Sequence, residues 1–514
     1  KKKLRSLDPK ERAQWLWANI ENLDVFLQDV YIYYLGNGFY SIILSKLIDL
    51  LTLVFIFTIS IYLTSCINYS NISNSHNKLS NIQVDKCYSN LNFFKKILVY
   101  FFSFFLVTRL FQFFFIDLKK LNELNCFYKH LLLINEDELQ TISWQLIVKK
   151  IILLKNQNAI ISNVSDSKAK SRLDAHDIAN RIMRKENYLI ALYNKNILDL
   201  KLPLFKYLNL NDTNSILTKT LEWNISLCLF GFVFNEKGQL RSNFLKESHK
   251  SILSDQLKKR FLLAGFLNLF FSPLLVLYFL LLYFFRYFNE YKSNPSLISS
   301  RQYTPYSEWK LREFNELYHL FQRRLNLSVP EATKYIDQFP KDKTNQFMKF
   351  VSFVSGSFAA ILGILAIFDP ELGINFEITE GRTALFYIGV FGTIWAISHN
   401  SIPEDTIVFD PEASLRYVAQ FTHHLPKEWD HRFHTNEVKA EFSSLFEMKI
   451  VLLIKELTSI ILTPFILMFA LTKSTDKIID FFREFSVHIN GLGYICTFAM
   501  FDFDKEKNLA TDPK

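Results

Sequence analysis

The residues best equipped for chemistry in this sequence are four histidines, His423, His424, His431 and His434. Zinc sites use spacings such as His-Glu-x-x-His, or add Cys-x-x-Cys pairs, because the donors must converge on one ion. Neither spacing occurs, and Pro426 breaks the helical face these histidines would have to share. No metal and no cofactor is expected. Nucleophilic catalysis has no better footing, since there is no Gly-x-Ser-x-Gly elbow. Gly491-Leu492-Gly493 lacks the third glycine and preceding strand of a dinucleotide site, and there is no P-loop. The chain does not read as an enzyme. Charges and polar groups inside or beside apolar runs ask for a functional reading instead. Arg109 lies within such a run, and either faces a wet interior or snorkels to the cytoplasmic interface. Thr393, Ser398, His399 and Asn400 belong to one short run. Lys292, Arg301, Arg312, Glu313, Glu316 and His319 follow another. Each group either lines a water-filled path or forms a solvated face.

Those runs set the architecture. With 514 residues, 49% hydrophobic and 16% aromatic, the chain is too apolar for disorder. The net charge of +9 sits at the edges of apolar segments, which favours a membrane surface over nucleic acid. A helix needs about 20 apolar residues to cross a bilayer. Residues 42–63, 93–117, 347–368 and 382–398 are expected to do so. Residues 261–287 and 450–471 are expected to form re-entrant hairpins, hinged at Pro273 and Pro464, because proline removes a helical hydrogen bond. Bases flank the first of these on both sides, Lys258, Lys259 and Arg260 before and Lys292 and Arg301 after, which places both flanks in the cytoplasm. In the second, Lys455 and Glu456 would each cost roughly 2.5–3.5 kcal/mol at a bilayer centre. The expected fold is therefore an all-α integral membrane protein. It has four transmembrane helices plus two re-entrant helical hairpins per subunit, with a helical cytoplasmic body. Residues 1–41 form cytoplasmic or interfacial helices. Residues 64–92 and 369–381 are lumenal, and 118–260, 288–346, 399–449 and 472–514 are cytoplasmic.

Cys66 and Cys87 fall in the first lumenal loop, where a disulfide persists, and Cys126, Cys228 and Cys496 fall on the reducing side. No signal peptide is visible, and the first residue is Lys rather than Met, so the sequence reads as part of a longer chain. Residues 20–35 carry Ile20, Leu23, Phe26, Leu27 and Val30 on one helical stripe ending at Gly36-Asn37-Gly38. This helix lies on the bilayer interface or packs on the body. Leu311, Phe314, Leu317, Phe321 and Leu325 predict one core helix over 307–325. Asp410-Pro411-Glu412 predicts a helix start.

Several blocks resemble the autophagy protein nine family. They are Leu23-Asp24-Val25-Phe26-Leu27-Gln28-Asp29 with Tyr33-Tyr34, His176 to Leu192, the six residues from Arg286, the six from Phe314, Glu456 to Pro464, and Ile479 to Arg483. The resemblance covers nearly the whole chain, is fungal in flavour, and lacks the family's long disordered tails. It implies a homotrimer with four crossings and two re-entrant segments per subunit. It also implies phospholipid scrambling between leaflets without ATP, in support of autophagosome membrane expansion. The expected setting is Golgi-derived cytoplasmic vesicles and the phagophore assembly site. The implied partner is the bridge-like lipid-transfer protein, autophagy protein two. On that reading Lys292, Arg301, Glu313, Thr393 and Arg109 are candidates for a headgroup path. Of the family's basic cluster Lys292 is kept, while Ser293 and Asn294 replace charged positions. A vesicle scaffold and an ion channel or transporter are the alternatives.

Overall fold

Backbone groups in hydrocarbon have no water to bond, so apolar runs must close their hydrogen bonds locally, as helices. Each apolar run is helical in the computed structural model, which describes residues 8–20, 22–67, 83–84, 87, 91–161, 173–198, 200, 217–293, 300–340, 342–368, 377–379, 382–400 and 408–500. Helices α1 (Pro9–Ala18) and α2 (Leu23–Leu35) lead into α3 (Phe39–Ile61), which ends in a π-turn at Tyr62–Cys66. Helix α4 (Phe93–Gln112) continues through a second π-turn, Phe113–Asp117, into α5 (Leu118–His130). Helices α6 (Trp144–Ile161), α7 (Ala175–Asn194) and α8 (Lys219–Val233) precede the long α9 (Lys250–Ser293). Among the described residues, five helices are long and apolar enough to cross a membrane: Phe39–Cys66, Phe93–His130, Glu247–Phe288, Lys343–Phe368 and Lys449–Lys473. Ala384–His399 is shorter. Large side chains along them, such as Phe101, Phe104, Phe111 and Phe115, are exposed, as a hydrocarbon-facing surface requires.

The second half adds α10 (Pro305–Leu311), α11 (Tyr318–Asp337), α12 (Asp342–Phe368), α13 (Ala384–Asn400), α14 (Pro411–Thr422), α15 (Asn436–Leu445), α16 (Lys449–Phe465) and α17 (Thr475–Glu484). Helices α12 and α13 pack along each other. The Asp410 side chain caps α14 by accepting from the Ala413 amide at 3.0 Å, which matches the sequence signal. The single helix expected over 307–325 is instead two. It breaks after Leu311, and Asn315 adopts a φ of 59° while its amide hydrogen-bonds Asn187 and the Ala499 carbonyl. Short antiparallel pairs join Arg301–Tyr303 to Phe446–Met448, and Ser486–Ile489 to Gly493–Cys496. Gly491 and Gly493 supply the positive φ of the latter turn, so this Gly-x-Gly is turn chemistry.

The hinge positions differ from expectation. Pro273 lies inside the uninterrupted α9 rather than at a turn between two arms. The reason is local: proline leaves the carbonyl four residues back without its amide, and the Ser272 hydroxyl donates to that carbonyl, Leu269 O, at 3.0 Å. Leu257, before the run, Phe261, at its start, and Trp309, after it, share one core, so the run leaves and rejoins the same body. Residues 294–299, which join the end of α9 to Ser300, lie outside the described residues. Pro464 likewise sits inside α16, which passes into a π-turn at Ile466–Ala470 and does not double back. Exposed Val451, Ile454, Ile461, Phe465 and Phe469 line one side of that segment, while Ile466, Leu467, Ala470 and Leu471 are core. Gly265 lets α9 and α16 touch, since a Cβ there would meet the Pro464 carbonyl at 3.0 Å and Met468 at 2.5 Å.

Three clusters make the body. Leu27, Val30, Tyr31 and Tyr33 of α2 are buried against α5, α6 and α7, which settles α2 as a body helix. Helices α7, α8 and α17 meet the start of α9 in the second, and α11, α14 and α15 form the third. Buried Asp24 ties α2 to the rest, accepting from Arg181, Arg184 and Gln239, while Arg184 also donates to Leu492 O at 2.6 Å. Cys66 and Cys87 are joined by a disulfide.

Candidate functional site

Two polar contacts mark the ends of α3. Lys46 pairs with Asp117 at 2.6 Å, and Lys95 donates to Ser65 Oγ at 2.6 Å. Lys46 to Ser65 is about 28 Å of helix at 1.5 Å per residue, close to the thickness of a bilayer's hydrocarbon. Phe55 lies midway between them. Its ring is 5.8 Å from that of Phe285 on α9, so the neighbouring Arg286 is level with the middle of α3.

Arg286 lines a cleft of about 230 Å3, together with Tyr283 and Tyr287 of α9, Lys449, Lys455 and Glu456 of α16, and Lys219, Gln302, Thr304 and Glu308 from the body. Its charges fall into two groups. Lys455 is held by Glu447 at 2.7 Å, and Lys219 by Glu308 at 2.7 Å. The Glu456 carboxylate accepts from the Lys219 and Thr220 amides at 3.1 and 2.8 Å and from the Thr220 hydroxyl at 2.8 Å, which caps α8 with a negative charge at its positive end. These contacts explain why Lys455 and Glu456 are tolerated in an apolar run. Arg286 and Lys449, by contrast, form no ion pair with a carboxylate among the described residues. They leave the cleft two uncommitted cations. Burial lowers the Lys219 pKa, but Glu308 and Glu222 outweigh it and hold the ammonium above its ordinary value.

The residues singled out in the sequence are dispersed. Thr393 donates to the Gly389 carbonyl of its own helix at 2.7 Å. Glu313 pairs with His423 at the surface. Arg301 leans on the Phe446 carbonyl at 3.5 Å, and burial lowers its pKa against the pull of Asp337 and Glu447. It occupies the strand face opposite Gln302, because side chains alternate along a strand, and so it misses the cleft. Arg109 lies over Phe105 and donates to Gln112 at 3.3 Å on an exposed helix face. The Lys292 side chain lies outside the described residues. Sequence reasoning missed Arg286, Lys449 and Lys219. The available signal was Arg286 at the end of an apolar run that must return to the body it left.

Fold and cleft together define a helical membrane protein. The sequence signature of the family described as Autophagy protein ATG9 matches residues 15–502. Autophagy-related protein 9 of Saccharomyces cerevisiae strain YJM789 is 54% identical over 501 residues, 97% of this chain and 50% of that protein. Its counterpart in Eremothecium gossypii is 54% identical over 507 residues, 98% of this chain and 56% of that one. The cryo-EM structure of Schizosaccharomyces pombe Atg9 superposes with a TM-score of 0.71 at 40% identity, covering 95% of this chain and all of that one. The chain belongs to the ATG9 family of autophagy proteins. It spans about half the length of the curated relatives it matches.

Proposed function

We propose that this protein is an energy-independent phospholipid scramblase of autophagy, and that the cleft at Arg286 is the path its headgroups take. The observation that supports the reading is the position of that cleft, with Arg286 level with the middle of α3. A headgroup entering hydrocarbon loses its hydration, and a charge at the bilayer centre is costly. A cleft that reaches from the body to that level offers polar partners where water is missing, while the acyl chains stay in lipid. Arg286 and Lys449 suit the phosphate, the group common to all phospholipids. The proposed topology has four crossings, with α9 and α16 entering the bilayer part-way and both termini in the cytoplasm. Family membership supports a homotrimer on Golgi-derived vesicles and at the phagophore assembly site, acting with the lipid-transfer protein autophagy protein two.

The test is dithionite quenching of fluorescent phospholipid in proteoliposomes. The parent chain should expose inner-leaflet label, and Arg286→Gln with Lys449→Gln should slow this about tenfold, equivalent to about 1.4 kcal/mol of barrier. A parent chain that leaves the inner leaflet protected favours a scaffold. A double variant as fast as the parent moves the path elsewhere.

A further inference from the structure

Beside the cleft lies a second chamber of about 220 Å3, walled off from it by the Lys219–Glu308 ion pair. Two buried N–H groups on its lining side chains have no acceptor among the described residues: Nε1 of Trp309 and Nε of Arg312, whose side chains belong to residues 6% and 7% exposed. Native proteins seldom leave such donors unpaired, and each case asks for an oxygen that a ligand or water brings. The remaining charges define that ligand. Arg312 is held by Glu186 at 2.5 Å and stacks over the Trp309 ring, and Lys219 is shared between Glu308 and Glu222. Three carboxylates face two cations here. A simple anion is therefore repelled, whereas a ligand with both a phosphate oxygen and a positive group satisfies every wall.

We infer that this chamber binds the zwitterionic phosphate-and-ammonium group of ethanolamine- or choline-type phospholipids, as a holding site beside the path. The phosphate oxygen accepts from Trp309 and Arg312. The ammonium lies against Glu222, the carboxylate that shares Lys219 with Glu308. In the cleft itself the uncommitted cations favour phosphate alone, so the two compartments differ in what they select. This inference names a ligand class for a chamber adjoining the proposed path, and rests on that reading only for its physiological source.

Glycerophosphoethanolamine is the soluble probe, titrated into the full chain in uncharged detergent by calorimetry, with inorganic phosphate in parallel. The expected result is saturable binding of the zwitterion, at least tenfold tighter than phosphate and at least tenfold weaker in Trp309→Phe. Because Trp309 stacks on Tyr193 at 5.5 Å, its replacement risks the fold, and Glu222→Gln provides the second variant with the same expected loss. Equal affinity in parent and Glu222→Gln, or phosphate binding as tightly as the zwitterion, overturns the inference. Probe binding by a chain that moves no lipid in liposomes supports the chamber and refutes the transport reading. Lipid movement without probe binding refutes the chamber alone.

Discussion

Glu456 sits in an apolar run and yet fastens the start of α8. One carboxylate oxygen takes the Lys219 amide and the other takes the Thr220 amide and hydroxyl. Of the four amides that begin any helix without a partner, these two depend on Glu456, and the Leu221 amide is served by Thr218 Oγ1 at 3.3 Å. Replacing Glu456 with Ala removes a cap worth about 0.5–2 kcal/mol and a charge–dipole attraction of about 0.3–1 kcal/mol. Water can reach the Lys219 amide but only partly the Thr220 amide, so the sum is not fully discounted. The loss comes to about 2 kcal/mol of local stability, or about a 30-fold rise in the open fraction. Hydrogen exchange followed by mass spectrometry over 217–224 reads this directly, because fraying of a helix start is a local opening. Exchange should accelerate about 30-fold in Glu456→Ala, while Glu456→Gln, which keeps an acceptor for Thr220, stays within several-fold of the parent. Parental exchange in Glu456→Ala would show that the helix start is held by something other than this carboxylate.

Asp24→Asn leaves Arg184, 1% exposed, without a counter-charge, and removing one partner of a buried pair costs about 3–5 kcal/mol; thermal unfolding in detergent should shift down clearly, and an unchanged transition would relieve Asp24 of that role. His424 is held at about 4, chiefly by burial and then by Lys310. Its folded pKa is below the unfolded value of about 6.5, so the unfolded chain binds the proton first and stability falls as pH drops from 6.5 toward 4, by up to about 3 kcal/mol. A His424→Gln chain should lose most of that slope in melting curves taken across this window.

Helix positions were readable because hydrocarbon permits little else for long apolar runs, and α14 was readable because Asp410 and Pro411 act locally. What stayed hidden depends on contacts distant in sequence. Pro273 reads as a hinge unless the Ser272 hydroxyl is known to compensate the carbonyl at Leu269, and Ile466, Leu467, Ala470 and Leu471 look lipid-facing until the body core closes over them. The break at Asn315 depends on Asn187, 128 residues away. Thr393 and Glu313 are polar in the right region, but their hydrogen bonds are already committed. Arg286 and Lys449 form a site only because α9 and the start of α16 meet there.

The continuity of α9 through Pro273 decides where the proposed path can lie. Had α9 folded back at Pro273, its second arm would have climbed toward the depth of Arg260, leaving Arg286 at the bilayer surface among solvated bases. An uninterrupted helix instead runs from Phe261, anchored in the body core, to Phe285 beside Phe55, about 36 Å at 1.5 Å per residue. That length brings a guanidinium from the body core to the middle of α3 on a rigid rod, where Thr304 and Glu308 of the body line the same cleft. Pairing α9 with α16 through Gly265 then fixes the far wall, where Glu456 and Lys455 are already neutralised by α8 and Glu447. The charges left over among the described residues are Arg286 and Lys449, the two that a phosphate on the proposed path would meet.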